Sequence, residues 1–379
     1  MTFNDHFEPE LIEGLSSMGF EKPTPIQEKA IPVILQNRDL IACAQTGTGK
    51  TAAFLLPVIN KIMKDHTETV DTLIIVPTRE LAIQIDEALQ GFSYFTPISS
   101  IAIFGGTNGT SYEQEKKALI QGANIIIATP GRLIAHLNQG YVKFKTVKHL
   151  ILDEADRMLD MGFSDDLNRI ISFLPKERQT LMFSATMPPK IRTLASKILQ
   201  QPVEINIAVS KPAEGVLQAA YMVQNDKKVD LIKYLLAGKK LKTIIIFSST
   251  KHKVKELEKE LKKLKMNTSA IHSDLTQDQR NEVLRNFKSK KLQILVATDI
   301  LSRGIDIDSI ELVINFDVPS DAEDYIHRVG RTARAESTGV ALTFISPSDR
   351  RKFRNIEQLI GSEVKKLPMP MMNVSQSLS

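Results

Sequence analysis

The chain has 379 residues, too many for one hydrophobic core and suited to about two or three domains. Hydrophobic residues make up 42% and charged residues 25%, an ordinary soluble composition, and no apolar run is long enough to cross a bilayer. With 49 Lys and Arg against 44 Asp and Glu, a net charge of +5 accommodates an anionic partner without requiring one; the single cysteine, Cys43, and the absence of a basic, apolar leader in Met1–Phe7 fit a reducing, cytoplasmic setting.

Short apolar runs recur along the first half: Leu40-Ile41-Ala42, Leu73-Ile74-Ile75-Val76, Ile101-Ala102-Ile103-Phe104, Ile125-Ile126-Ile127, Leu150-Ile151-Leu152 and Thr180-Leu181-Met182-Phe183. They are apolar throughout rather than alternating, which reads as parallel strands covered on both faces. Helical spacing lies between them, as in Leu81, Ile85, Ala88 and Leu89, so the alternation predicts an α/β fold. A polar, proline-containing stretch, Val209–Gly215, marks a boundary, after which the pattern restarts at Ile244–Phe247, Ile294-Leu295-Val296 and Leu312-Val313-Ile314. Between these, Lys251–Lys265 carries Val254, Leu257, Leu261 and Leu264 at helical spacing; it reads as a solvated amphipathic helix, with a nucleic-acid surface as the alternative. The end of the chain, Leu367–Ser379, has no periodic pattern and is expected to fray or dock loosely. The expected division is a first domain over 1–208, a linker over 209–215, a second domain over 216–366 and a tail over 367–379. The two halves look like variations on one plan.

Two local patterns carry chemistry. Asp153-Glu154-Ala155-Asp156 directly follows the strand Leu150-Ile151-Leu152; alone it is equally compatible with a solvated acidic surface. Upstream, Ala44-Gln45-Thr46-Gly47-Thr48-Gly49-Lys50-Thr51 satisfies a P-loop pattern if Ala44 takes the position usually given to the first glycine; the alternative is a Gly-Thr turn before a helix. In a P-loop, backbone N–H groups and the following helix N-terminus bind phosphate oxygens, Lys50 supplies a point charge, and the Thr51 hydroxyl can ligate Mg2+. Asp153 then falls where a strand-terminal carboxylate can hold the Mg2+ shell opposite Thr51, and Glu154 where a base can orient the attacking water. Together they point to nucleoside triphosphate hydrolysis.

Further motifs extend the pattern over nearly the whole chain. They are Gly19–Gln27, Pro77-Thr78-Arg79-Glu80-Leu81, Gly105-Gly106, Thr129-Pro130-Gly131-Arg132, Ser184-Ala185-Thr186, Ile246–Thr250, Gln277–Arg280, Ala297–Asp306 and His327–Arg334. In this order they resemble the DEAD-box ATP-dependent RNA helicases of superfamily 2, specifically a bacterial-type minimal core similar to the RhlE-like group. The resemblance implies two tandem RecA-like domains, each a mainly parallel sheet flanked by helices, with ATP as substrate and Mg2+ as cofactor. It implies that Gln27 reads the adenine edge, that Phe20 stacks on the base with Lys22 alongside, and that Gly304 and Asp306 join the nucleotide site, Asp306 at the ribose.

By the same resemblance His327, Arg331 and Arg334 belong to the catalytic set, the two arginines as fingers on the γ-phosphate. Arg328, Arg331 and Arg334 recur at helical spacing, so a plain basic helix face is the alternative. Pro77, Thr78, Arg79, Gly105, Gly106, Thr129, Pro130, Gly131 and Arg132, with Thr250, Gln277, Arg280 and Thr298 from the second half, become an RNA-backbone track. Singly, the Pro-Thr-Arg and Thr-Pro-Gly-Arg segments also suit ordinary turns. Asp156, Ser184, Thr186 and Arg328 are expected to couple the domains.

The chain departs from the family after Arg334, where Ala335-Glu336-Ser337-Thr338-Gly339 lacks the glycine that often follows Arg-Ala. No tryptophan and no aromatic base-reading cluster occur, so RNA is expected to be held through backbone and ribose with little sequence specificity. The expected activity is RNA-stimulated ATP hydrolysis driving domain closure and local, non-processive separation of short duplexes or remodelling of RNA–protein complexes. An ATP-gated RNA clamp and a DNA-directed superfamily 2 motor are the alternatives. A monomeric core, no membrane association and room for unidentified protein partners complete the reading.

Overall fold

Residues apolar on both sides must be covered on both sides, and the structure, a computed structural model describing residues 2–44, 47–66, 69–106, 109–207, 216–239, 241–272, 274–298, 310–332 and 339–370, does so twice. It divides into two units, Met1–Val209 and Ser210–Ser379.

In the first unit the strands are β1 (Leu40–Cys43), β2 (Thr72–Ile75), β3 (Ser100–Ile103), β4 (Ile125–Ala128), β5 (His149–Leu152), β6 (Gln179–Ser184) and β7 (Val203–Asn206). They lie in the order β3-β4-β2-β5-β6-β1-β7, every pair parallel, in a register that sets Ile74 beside Ile127 and Ile151. The helices are α1 (Pro9–Ser17), α2 (Pro25–Leu35), α3 (Lys50–Asp65), α4 (Arg79–Phe92), α5 (Gly109–Gln121), α6 (Pro130–Asn138), α7 (Ala155–Asp160), α8 (Ser164–Ser172) and α9 (Pro189–Ile198). Alternate strand residues feed two cores: Ile74, Ile127, Ile151 and Leu181 pack with α2, α3 and α4, while Leu73, Ile75, Ile126, Leu150 and Met182 pack with α6, α8 and α9. Each such buried side chain contributes about 1.5–3 kcal/mol of transfer free energy.

The second unit has β8 (Val216–Met222), β9 (Ile244–Phe247), β10 (Thr268–Ile271), β11 (Ile294–Ala297), β12 (Leu312–Asn315), β13 (Gly339–Ile345) and β14 (Lys365–Leu367), in the order β10-β11-β9-β12-β13-β8-β14. Its helices are α10 (Lys228–Leu236), α11 (Lys251–Lys263), α12 (Gln277–Lys288), α13 (Ala322–Val329) and α14 (Arg350–Ile360). Counted from its own first strand, each sheet runs third, fourth, second, fifth, sixth, first, seventh, so the two halves share one topology. Helix α11 is the amphipathic helix expected from its spacing: Val254, Leu257 and Leu261 are buried and its lysines face outward. Among the described residues no helix is long and apolar enough to cross a membrane.

In a parallel sheet every strand ends at the same edge, and ligands bind in the crevice outside those carboxyl ends. In the first unit Gly19–Gln27 leads into α2 and the other motifs follow β1, β2, β3, β4, β5 and β6; those of the second follow β9 and β11 or open α12 and close α13.

Candidate active site

The phosphate-binding segment leaves β1 at Cys43 and enters α3 at Lys50. Gly47 has φ 84° and Gly49, the helix N-cap, φ 92°, both in the left-handed region that glycine occupies without a Cβ penalty. At Gly49 a Cβ would also fall 2.5 Å from the Gln27 amide nitrogen. That nitrogen donates to the Gly49 carbonyl at 3.1 Å, while the Gln27 carbonyl accepts the Thr24 N–H at 2.9 Å. Gln27 is buried, so it braces α2 against the P-loop as well as offering the remaining donor and acceptor capacity of its amide. Phe20 packs edge-on against Phe92 with ring centroids 5.2 Å apart, and Lys22 is exposed. Ala44 is buried at the end of the strand, Thr48 and Thr51 are half-buried, and Gln45 and Thr46 lie outside the described residues.

Lys50 is buried, and its ammonium has no hydrogen-bond partner among the described residues. An orphaned cation at a helix N-terminus is the electrostatic counterpart of a bound phosphate. Asp153, 3% exposed at the end of β5, lies close enough to feel it. Burial pushes the Asp153 carboxyl up to about 6; Lys50 opposes the rise, Glu154 adds to it, and the Glu154 N–H bonded to Oδ1 at 2.9 Å lowers it. A carboxylate destabilised by lost water gains most from a cation. Thr51 and Asp153 offer hard oxygen ligands suited to Mg2+. Among the described residues no cluster of three or more His, Cys, Asp or Glu side chains is arranged for a metal.

Glu154 has φ 50° and ψ 49°, a left-handed conformation costing a non-glycine residue about 1 kcal/mol. Its Oε2 accepts from Arg157 Nη1 at 3.2 Å, which fixes the direction of the buried carboxylate. Asp156 turns the other way: Oδ2 accepts the Thr186 N–H at 3.1 Å and its hydroxyl at 3.0 Å, while the Asp156 N–H donates to Ser184 Oγ at 3.3 Å. Asp156, Ser184 and Thr186 are thus joined directly. Cys43 adds a strap between β1 and this turn, its Sγ donating to the Ala185 carbonyl at 3.2 Å.

The first part of the proposed RNA track is also assembled from helix starts. Pro77 is buried, and Thr78 caps α4 by accepting the Leu81 N–H at 3.3 Å. The guanidinium of Arg79 lies in the space a Cβ of Gly106 would fill, and Gly106 has φ 82°; a Cβ at Gly105 would lie 3.8 Å from the same group. Thr129 caps α6 through its backbone, leaving its hydroxyl out of the cap, with Pro130 at the first helical position and Gly131 exposed. Arg132 is held rather than loose: Nε donates to Glu115 Oε2 at 2.7 Å, and the guanidinium lies 4.7 Å from the Tyr112 ring centroid. His136 stacks on Tyr112 with ring centroids 4.5 Å apart and shares Glu115 at 2.7 Å; its Nδ1 meets the Tyr141 hydroxyl. Glu115, Tyr112 and His136 were not legible as site residues, since a helical Glu and two aromatic rings have no local signature before α5 and α6 are packed together.

In the second unit Thr250 caps α11, accepting the Lys253 N–H at 3.3 Å, and is exposed. Arg280 lies in the first turn of α12, which Gln277 opens; the Gln277 side chain lies outside the described residues. The Thr298 hydroxyl is buried with no hydrogen-bond partner among the described residues. His327 is buried on α13. α13 stops at Val329, and the Arg331 N–H closes a tighter turn onto the Arg328 carbonyl at 3.2 Å, so Arg328 and Arg331 do not share the helical face that was the alternative to the finger reading. Arg328 is wholly buried, whereas Arg331 is half-buried beyond the helix end. Arg334, Gly304 and Asp306 lie outside the described residues.

Comparison with known proteins extends these observations. The family described as DEAD/DEAH box helicase matches residues 24–194, and that described as helicase conserved C-terminal domain matches residues 227–336. DEAD-box ATP-dependent RNA helicase CshA of Geobacillus kaustophilus (strain HTA426) is 41% identical over 365 residues, covering 96% of this chain and 77% of the relative. Its namesake in Bacillus subtilis (strain 168) is 40% identical over 375 residues, covering 98% and 75%. Both bear the name CshA; the RhlE-like grouping is not part of what these matches establish. Among solved structures, S. cerevisiae Dbp5 bound to RNA and ADP BeF3 superposes with a TM-score of 0.87 at 32% identity, covering 97% of this chain and 95% of that one. On this sequence identity and the tandem RecA-like folds it accompanies, the chain belongs to the DEAD-box family of ATP-hydrolysing, ATP-dependent RNA helicases.

Proposed function

We propose that this helicase separates short RNA duplexes locally, by closure of its two units around ATP and RNA rather than by travel along the strand. The observation that carries the reading is the buried Lys50 ammonium, without a hydrogen-bond partner among the described residues and near the Asp153 carboxylate, a charge arrangement that a phosphate chain and a divalent cation would complete. Lys50 binds phosphate oxygens together with the backbone N–H groups at the start of α3. Thr51 and Asp153 would hold Mg2+, which supplies neutralisation of phosphate charge when bound. Glu154, fixed by Arg157, orients the attacking water and accepts its proton at Oε1 or Oε2. Arg331 and Arg334 stabilise charge on the transferred phosphoryl group, and Gln27, Phe20, Lys22, Gly304 and Asp306 select and seat the nucleoside.

RNA lies along Arg79, Gly106, Thr129 and Arg132 in one unit and Thr250, Gln277, Arg280 and Thr298 in the other, held by phosphate and ribose. Because both ligands favour the closed state, each strengthens the other. Asp156 with Ser184 and Thr186 transmits the state of the nucleotide within the first unit. We place the division at 1–208, 209–215, 216–366 and 367–379, and the protein in the cytoplasm as a monomeric core whose RNA targets are chosen by partners.

Duplexes of increasing length, offered in single turnover with ATP, test this. Separation should fall steeply with length and a DNA duplex of the same sequence should not be opened. Length-independent separation would establish a travelling motor, and stable RNA retention without strand separation would establish the clamp.

A further inference from the structure

Two residues beyond the end of strand β12 the chain carries a buried carboxylate. That carboxylate is Asp317. Its Oδ2 accepts from the Ser248 hydroxyl at 2.8 Å and from both the amide and the hydroxyl of Ser249 at 3.0 Å. Its Oδ1 accepts from the ammonium groups of Lys228 and Lys253, each at 3.2 Å. Ser248 and Ser249 form the turn that presents Thr250 at the start of α11, so one side chain fixes the orientation of that turn.

The backbone of the same residue reaches the opposite way. Arg328 Nη1 donates to the Asp317 carbonyl at 2.9 Å and to Asn315 Oδ1 at 3.2 Å, with the guanidinium carbon 5.2 Å from the Phe247 ring centroid. Arg328 is wholly buried on α13 and its own carbonyl accepts the Arg331 N–H. Burial would raise the Asp317 carboxyl, but the Ser249 amide, Lys228, the Ser248 hydroxyl and Lys253 together hold it well below the usual carboxylate range. Lys228 is lowered by burial despite the same contact, because a carboxylate shared among several donors offsets only part of its lost hydration. Charge-assisted bonds to a buried carboxylate hold its geometry tightly, even where two of the donors, Ser249 and Lys253, reach solvent.

We propose that Asp317 and Arg328 form a positioning relay inside the second unit, tying the Ser249–Thr250 turn to the segment that carries Arg331, so that RNA seated on Thr250 sets the direction of the arginine. The relay rests on the roles proposed above for Thr250 and Arg331. Arg328 acts in it from within one unit.

The test uses the full chain and single-stranded RNA, measuring ATP turnover and the ATP KM with no RNA and with saturating RNA. Ser249→Ala should reduce RNA stimulation of turnover about threefold and Asp317→Asn about tenfold, with turnover in the absence of RNA within twofold of wild type. Ser249→Thr, which returns the hydroxyl, should restore stimulation. Full stimulation in both Ser249→Ala and Asp317→Asn overturns the relay, as does a loss that merely follows thermal stability and is not restored by Ser249→Thr. Should Asp317→Asn fail to fold, the Ser249 pair decides by the same criteria. Wild-type turnover indifferent to RNA overturns the functional reading itself, and the relay with it.

Discussion

Replacing Asp153 with asparagine removes a carboxylate whose protonation the fold itself favours. Burial raises this group from 3.8 to about 6, a difference of about 2 pH units, and each unit corresponds to about 1.4 kcal/mol, so the group accounts for up to about 3 kcal/mol of pH-dependent stability. The sign follows from the raised value: the folded state holds the proton more tightly than the unfolded chain. The contribution is fully present below pH 3.8 and is lost as pH rises through about 6. An asparagine side chain there has nothing to titrate. Denaturation calorimetry of both proteins between about pH 4 and pH 8, without nucleotide, should therefore show wild type losing up to about 3 kcal/mol relative to Asp153→Asn across that range. Lys50→Met should enlarge the effect, since Lys50 holds the Asp153 value down. Magnesium with a non-hydrolysable nucleotide should shrink it by favouring the carboxylate. A difference between wild type and Asp153→Asn that stays flat with pH would refute the reasoning.

Two further substitutions probe separate parts of the machinery. Gly106→Ala places a Cβ where the Arg79 guanidinium lies and forces a left-handed φ on a non-glycine residue, so it should cost about 1–2 kcal/mol in thermal denaturation and weaken RNA binding severalfold in a titration of labelled single strand. Arg331→Ala should lower the RNA-stimulated kcat by about 10³ while changing ATP affinity far less, since a finger acts on transition-state charge; weakened nucleotide binding at an unchanged kcat would remove Arg331 from that role.

The sheets were legible because strands buried on both faces leave continuous apolar runs, as Ile125–Ile127 and Ile244–Phe247 do. Of the edge strands only β3 left such a run; β7 carries the exposed Glu204, β10 begins Thr268-Ser269, and β14 is a three-residue strand with exposed Lys365 and Lys366. The phosphate loop and the Asp153–Asp156 turn were readable because their chemistry is local, carried by consecutive residues between a strand and a helix. The contacts that hold those residues are not local. Arg157 bracing Glu154 was not read from the sequence, and Glu115 bracing Arg132 and Asp317 gathering Ser248, Ser249, Lys228 and Lys253 depend on elements that meet only in the fold. Asp317 lacked the signal that singled out Asp153, because Asn315 and Phe316 separate it from the apolar run Leu312–Ile314 whereas Asp153 directly follows Leu152. The helical spacing of Arg328, Arg331 and Arg334 left a basic helix face open as an alternative because period alone does not show where a helix ends; Gly330 still makes the helical bond to the Ile326 carbonyl at 2.8 Å, and the chain tightens after it, where the Arg331 N–H turns onto the Arg328 carbonyl at 3.2 Å.

The central claim is that Glu154 directs water at a nucleotide whose hydrolysis answers to RNA. Steady-state ATP turnover of wild type and Glu154→Gln, each with and without single-stranded RNA, tests it most directly. Wild type should be stimulated by RNA, and Glu154→Gln, which keeps the shape but loses the base, should lose at least about a hundredfold of the stimulated rate while still binding both ligands. RNA-stimulated turnover left intact in Glu154→Gln would contradict the account.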